Sequence, residues 1–180
     1  MPLQPPPNLF KNFKTAKPML DSDYIKPGHY WTVIDRVKYG QNRASVDFIA
    51  IEMTVLRVLD NAGGLSSCVH GATTRLISKA QIDYFDREYR TFLSKVMEVP
   101  FEDITEEDAT MVLGDDQPLS GLVVEVKGVS VKTKKEKDFT RCMFVRTVPA
   151  SEVLGTLDPE IVKRYFPNGR LEAQAKAEAK

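Results

Sequence analysis

The chain has 180 residues, 25 Lys plus Arg against 25 Asp plus Glu, and 42% hydrophobic content. That is the size and composition of one soluble domain with extensions, able to bury a core without staples. No run of 18 apolar residues offers a membrane span, and Cys68 and Cys142 alone cannot form a disulfide framework. The net charge of zero hides a segregation: residues 1–20 carry three Lys and no acid, residues 98–116 eight acids and no base. A neutral total can therefore hide a basic face and an acidic face. The first residues lack the apolar core of a signal peptide, so a cytoplasmic location is expected.

In chain order, residues 1–26 form a proline-rich basic leader with Pro2, Pro5, Pro6, Pro7 and Pro18. Proline fixes φ and donates no hydrogen bond, so an extended, flexible arm is expected there. Pro27-Gly28 punctuates the chain, and His29 to Tyr39 reads as a long strand. After a turn at Gly40-Gln41-Asn42-Arg43, Ala44 to Asp60 reads as a second strand. In it Ile49, Ile51, Met53 and Val55 share one face, the expected core face, and Phe48, Ala50, Glu52 and Thr54 share the other. Asn61-Ala62-Gly63-Gly64 closes a hairpin to a third strand expected over Leu65 to Gly71.

The pattern then becomes helical. Ser78-Lys79-Ala80-Gln81 has capping-box form, and Ile82, Phe85, Tyr89, Phe92, Leu93 and Val96 recur at helical spacing. Thr105-Glu106-Glu107-Asp108 opens a short second helix with carboxylates at its positive end. Leu122 to Val131 and Phe139 to Val148 are β-rich runs around a basic turn, Lys132 to Asp138. From Lys132 to Arg146 six cations face two acids. Ser151 to Leu154 and Pro159 to Phe166 look helical, and Arg170 to Lys180 is expected to fray.

Three strands, a helical insertion and a two-strand hairpin predict a mainly β fold with a helical insertion. The layout is that of an OB-fold, a five-stranded Greek-key barrel with helices between strands 3 and 4 and at the C-terminus. The alternative is an α+β domain with an open sheet. The expected organisation is a leader (1–26), an OB domain (27–148), short helices (149–169) and a flexible tail (170–180).

Several stretches carry a resemblance in their order and spacing. They are Gly28-His29-Tyr30, Phe48-Ile49-Ala50-Ile51-Glu52, Ile104-Thr105-Glu106-Glu107-Asp108, Leu119 to Val126, and Lys132-Thr133-Lys134-Lys135 followed by Phe139-Thr140. Over roughly residues 27–148 the chain resembles the phage-encoded OB-fold single-stranded DNA-binding proteins of replication and recombination. The proline-rich leader lies outside that pattern, and the tail is of mixed charge. The resemblance implies single-stranded DNA as ligand, replication or recombination proteins as further partners, no cofactor, no membrane and no enzymatic activity.

Single-strand binding needs cations along the phosphates and aromatic platforms for bases. The basic candidates are Arg36, Lys38, Arg43, Lys132, Lys134, Lys135, Lys137, Arg141 and Arg146. The aromatic ones are Tyr30, Trp31, Tyr39, Phe48, Phe139 and Phe144, with Tyr39 and Phe48 preferred because polar or turn residues flank them. A barrel must also fill its interior, so each aromatic is equally open to a core role. In the last strand Phe139, Arg141, Met143 and Val145 alternate with Thr140, Cys142, Phe144 and Arg146, and either set can face inward.

Other chemistries find less support. His29 and His70 are the only histidines, and Cys68-Val69-His70 has no zinc-site spacing. Gly28 and Gly63-Gly64 match no phosphate loop. The acids of 102–116 fall at helix starts and turns, where carboxylates are expected without a metal. Two other readings use the same features: an adaptor domain that binds protein through the acidic 98–116 segment, and RNA binding by the basic face.

Overall fold

A computed structural model describes residues 26–60, 70–78, 82–132 and 138–179, excluding the side chains of 82–84, 138 and 139. Five strands form one antiparallel sheet: β1 (Gly28–Gln41), β2 (Asp47–Asp60), β3 (Ala72–Ser78), β4 (Val123–Lys132) and β5 (Asp138–Thr147). Their order is β3-β2-β1-β4-β5. Five helices join them: α1 (Ile82–Met97), α2 (Glu106–Val112), α3 (Ala150–Thr156), α4 (Pro159–Tyr165) and α5 (Arg170–Glu178). The fold is therefore mainly β with helices in the expected places, and the sheet is open, with β3 and β5 at its edges.

β1 is the axis. It pairs with β2 along its whole length and with β4 from Gly28 to Val33. Register shifts interrupt the β1–β2 ladder at His29/Tyr30, Trp31/Thr32 and Ile34/Arg36. Each extra residue bends a strand and increases its twist, which suits a 14-residue strand shared by two neighbours. Because β4 runs from Val33 toward Gly28, the two hairpin turns lie beyond opposite ends of β1. Beyond Val33, the Gln117 amide replaces a strand: it accepts from the Val37 N–H at 2.8 Å and donates to the Val37 carbonyl at 2.9 Å.

The sheet is covered on both faces. On the first, Tyr30, Ile34, Ile49, Ile51, Met53, Val124 and Val126 meet Tyr89, Phe92, Leu93 and Val96 of α1 and Val112 of α2. The face of β2 expected from alternation is the one buried there. Full burial of each such side chain is worth about 1.5–3 kcal/mol. α2 starts at the expected place, on a capping box: the Thr105 hydroxyl accepts from the Asp108 N–H, and Asp108 accepts from the Thr105 N–H at 2.9 Å. Those bonds hold the Asp108 carboxyl below its ordinary pKa.

On the second face, Trp31 and Val33 of β1, Leu56 of β2 and Val123 of β4 lie beneath Val153, Leu157, Val162, Phe166 and Leu171. The C-terminal segment is thus a helix with a buried anchor, Leu171, and does not form the frayed tail expected from its sequence. Its Glu178 carboxylate accepts from the Ala150 and Ser151 N–H groups at 2.9 and 3.3 Å, closing the start of α3. The described third strand runs over 72–78, and most of the stretch expected to form it, 65–69, lies outside the described residues. Ser78 ends that strand opposite Phe48, and the rest of the expected capping box, 79–81, lies outside the described residues. Among the described residues no helix is long and apolar enough to cross a membrane.

Candidate nucleic-acid interface

The sequence candidates separate into three groups. Tyr30 and Trp31 belong to the core, 1% and 3% exposed. Tyr30 points to the first face, and its hydroxyl donates to the carbonyls of Pro27 and Lys26. Trp31 points to the second face under α3–α5, with the Arg57 guanidinium 5.6 Å from its ring centroid. Neither offers a ring to a base, and their role as platforms is withdrawn. Alternation along β1 was readable; that helices cover both of its faces was not.

Arg146 also leaves the site. It donates bidentately to Glu152 at 2.7 and 2.8 Å and through Nε to Glu125 at 3.0 Å, while His29 Nε2 lies 2.7 Å from the other Glu125 oxygen. The Glu152 hydrogen bonds raise the Arg146 pKa, and the same bonds lower that of Glu152. This chain of polar contacts ties β1, β4, β5 and α3 together, and it occupies the guanidinium that phosphate would need.

The second group stands at the β1–β2 turn. Tyr39 is 55% exposed and its hydroxyl donates to Asp47 at 2.6 Å, which raises its pKa. Phe48 is half-buried, its ring lying over Gly40, where a Cβ would stand 2.6 Å from the ring edge. Lys38 is paired with Glu52 across the ladder. Arg36 and Arg43 are exposed. The end therefore combines one open aromatic ring, one partly open, two exposed cations and one cation already paired.

The third group is the β4–β5 hairpin. The register puts Cys142 and Phe144 on the first face, where Cys142 is buried and Phe144 packs 4.6 Å from Phe92. Burial pushes the Cys142 thiol up to about 12 despite nearby Arg75. This decides the alternation left open by sequence: Arg141 and Met143 lie on the other side. There Val129, Val131 and Met143 are exposed, with Lys127 and Arg141 exposed among them and Lys132 exposed at the end of β4. The glycine within β4 has a packing reason: a Cβ at Gly128 would strike the Lys26 carbonyl. Lys134, Lys135 and Lys137 lie outside the described residues, as does the Phe139 side chain.

Sequence reading missed the hairpin's exposed aliphatics and Lys127, whose period of two was the available signal. It also missed Arg75, Arg87 and Lys95. With Arg141 these line a cleft of about 440 Å³ between α1 and the two edge strands. Arg87, Thr91 and Lys95 recur every four residues, so they share one helix face, but only the fold brings that face to β3 and β5.

No family model matches this chain, and no curated protein matches its sequence.

Proposed function

We propose that the chain is a sequence-tolerant single-stranded nucleic-acid-binding protein, with single-stranded DNA as its ligand. This is the function of the phage replication and recombination proteins that it resembles. One observation carries the reading: the exposed side of the β4–β5 hairpin interleaves Val129, Val131 and Met143 with Lys127 and Arg141, and Lys132 follows at the end of β4. Exposed apolar side chains give unstacked bases an apolar surface to lie against, and cations beside them neutralise phosphates without reading sequence. Lys134, Lys135 and Lys137 follow directly in the chain. The reading is one of binding and not of catalysis. The strand order supports the OB-like form of the proposal, because bringing β3 to β5 would turn β3-β2-β1-β4-β5 into a closed five-strand barrel.

The test is a titration with oligo-dT, duplex DNA and RNA of equal length at two salt concentrations. Oligo-dT should bind best, with log affinity falling by about 0.7 per phosphate contact for each unit of log salt. Changing Lys132, Lys134, Lys135 and Lys137 together to Ala should reduce that slope by up to about 3 and leave the fold intact. Salt-independent binding, or an unchanged slope in the variant, would overturn this reading. Preference for RNA would keep the surface and change the ligand.

A further inference from the structure

The open sheet leaves a seam. Among the described residues β3 and β5 are its edges, so each has one side without a described strand neighbour, and α1 packs against both. Between these three elements lies the cleft of about 440 Å³, within the range of about 300–1,000 Å³ typical of small-ligand sites. Arg75 comes from β3, Arg87 and Lys95 from α1, and Arg141 from β5. Glu88 is the one carboxylate among the lining residues, and it is paired with Arg75 at 3.0 Å. Four cations against one acid make the cleft electropositive. Its floor is apolar, formed by Ile77, Phe92, Cys142 and Phe144. Phe92 and Cys142 are buried, whereas Phe144 is partly open.

We infer that this cleft takes one nucleotide unit, its phosphate among Arg87, Lys95 and Arg141 and its base against the partly open Phe144, while Arg75 is engaged by Glu88. The chemistry required is an anion joined to a flat apolar body, and both halves have a counterpart here. A guanidinium is a planar fork suited to two phosphate oxygens, and two of these three cations are arginines. An acidic peptide would satisfy the rim but leave the apolar floor without a planar partner. The nucleotide can belong to the bound strand or be free in solution. The inference rests on the proposed nucleic-acid function and adds a second contact region to it. Arg141 flanks both regions, so a strand lying on the hairpin reaches the cleft over the edge of β5.

The experiment uses the full chain, with amide chemical-shift mapping and anisotropy titrations. The probes are oligo-dT, 5′-dTMP and poly-glutamate. Oligo-dT should move amides of 72–78, 87–95 and 140–144. Arg87→Gln with Lys95→Gln should reduce the salt slope of oligo-dT binding by about 1.4, at about 0.7 for each lost contact. Thr91→Glu, which places a negative charge at the rim, should weaken binding while the melting temperature holds. If dTMP moves these amides weakly, the site serves a nucleotide of the strand; if it moves them as strongly as oligo-dT, it serves a free nucleotide. Unchanged affinity and slope in the double variant, while the four-lysine hairpin variant loses both, would overturn the cleft and leave the proposed function standing. No oligonucleotide binding by the native chain would remove that function and this inference together. Poly-glutamate moving the cleft amides when oligo-dT does not would assign the cleft to an acidic peptide.

Discussion

The two hairpins at opposite ends of β1 start from similar material and arrive at different surfaces. Each offers cations on alternating strands beside large side chains. At the β1–β2 end the structure answers part of that charge internally: Glu52 takes Lys38, and Asp47 takes the Tyr39 hydroxyl. At the β4–β5 end Val129, Val131 and Met143 remain exposed among Lys127 and Arg141, with Lys132 exposed at the end of β4. Nearer the middle of the sheet, Trp31 has the right chemistry for a base platform, yet α3–α5 cover it. A residue's type thus says what it can bind, while its neighbours decide whether it is available. Exposed apolar area beside uncompensated charge marks an interface better than aromatic content does.

The largest test of the contrast sets Trp31 against Tyr39. Trp31→Ala empties a packed site and should cost about 3–5 kcal/mol of stability, seen as a lower denaturation midpoint, with any binding loss following unfolding. Tyr39→Ala should leave the midpoint nearly unchanged and, if its ring stacks on a base, cost about 1–3 kcal/mol of oligo-dT affinity. A Trp31→Ala protein that stays folded but cannot bind would break the division between covered and open platforms.

A smaller change sharpens the contrast in charge. Glu52→Gln frees the Lys38 ammonium from its cross-strand partner. If pairing is what keeps that end quiet, the salt slope of oligo-dT binding should rise by up to about 0.7, one contact. The partly exposed pair should contribute no more than about 0–1 kcal/mol to stability, so the midpoint should barely move. A slope that stays constant would place Lys38 away from the strand's path.

The smallest effect is in the acid range. Glu152 is held below its ordinary value of 4.5, first by the Arg146 hydrogen bonds. A carboxyl lowered in the folded state adds stability that is present above its unfolded pKa and is lost as pH falls through the folded value. Glu152→Gln should therefore weaken the fold slightly at neutral pH and flatten its pH dependence below about pH 4.5. Parallel acid-unfolding curves for the two proteins would remove Glu152 from that account.

Much of the fold was readable because it depends on local rules. Period-two alternation over 47–60 gave the buried face of β2, and helical spacing from Phe85 to Val96 gave the stripe of α1. The start of α2 at Thr105–Asp108, with its carboxylates, is a matter of four consecutive residues. The strand at 72–78 was harder, since Ala72-Thr73-Thr74-Arg75 alternates weakly and takes its register from pairing with β2. The C-terminal helix was misread for a related reason: RLEAQAKAEAK has one large apolar residue, and its order comes from Leu171 in the second core and Glu178 on α3.

The sequence by itself determined the β-rich plan, the helical insertion, the basic hairpin and the separation of acidic from basic segments. Those follow from spacing along one chain. Only the tertiary structure decided that Tyr30 and Trp31 are core, that Arg146 is spent on Glu125 and Glu152, and that Arg75, Arg87, Lys95 and Arg141 share a cleft. Those are facts about which elements meet. Pairing of β1 with both β2 and β4, and packing of helices on both faces of the sheet, join residues far apart in sequence, where no local period records the contact.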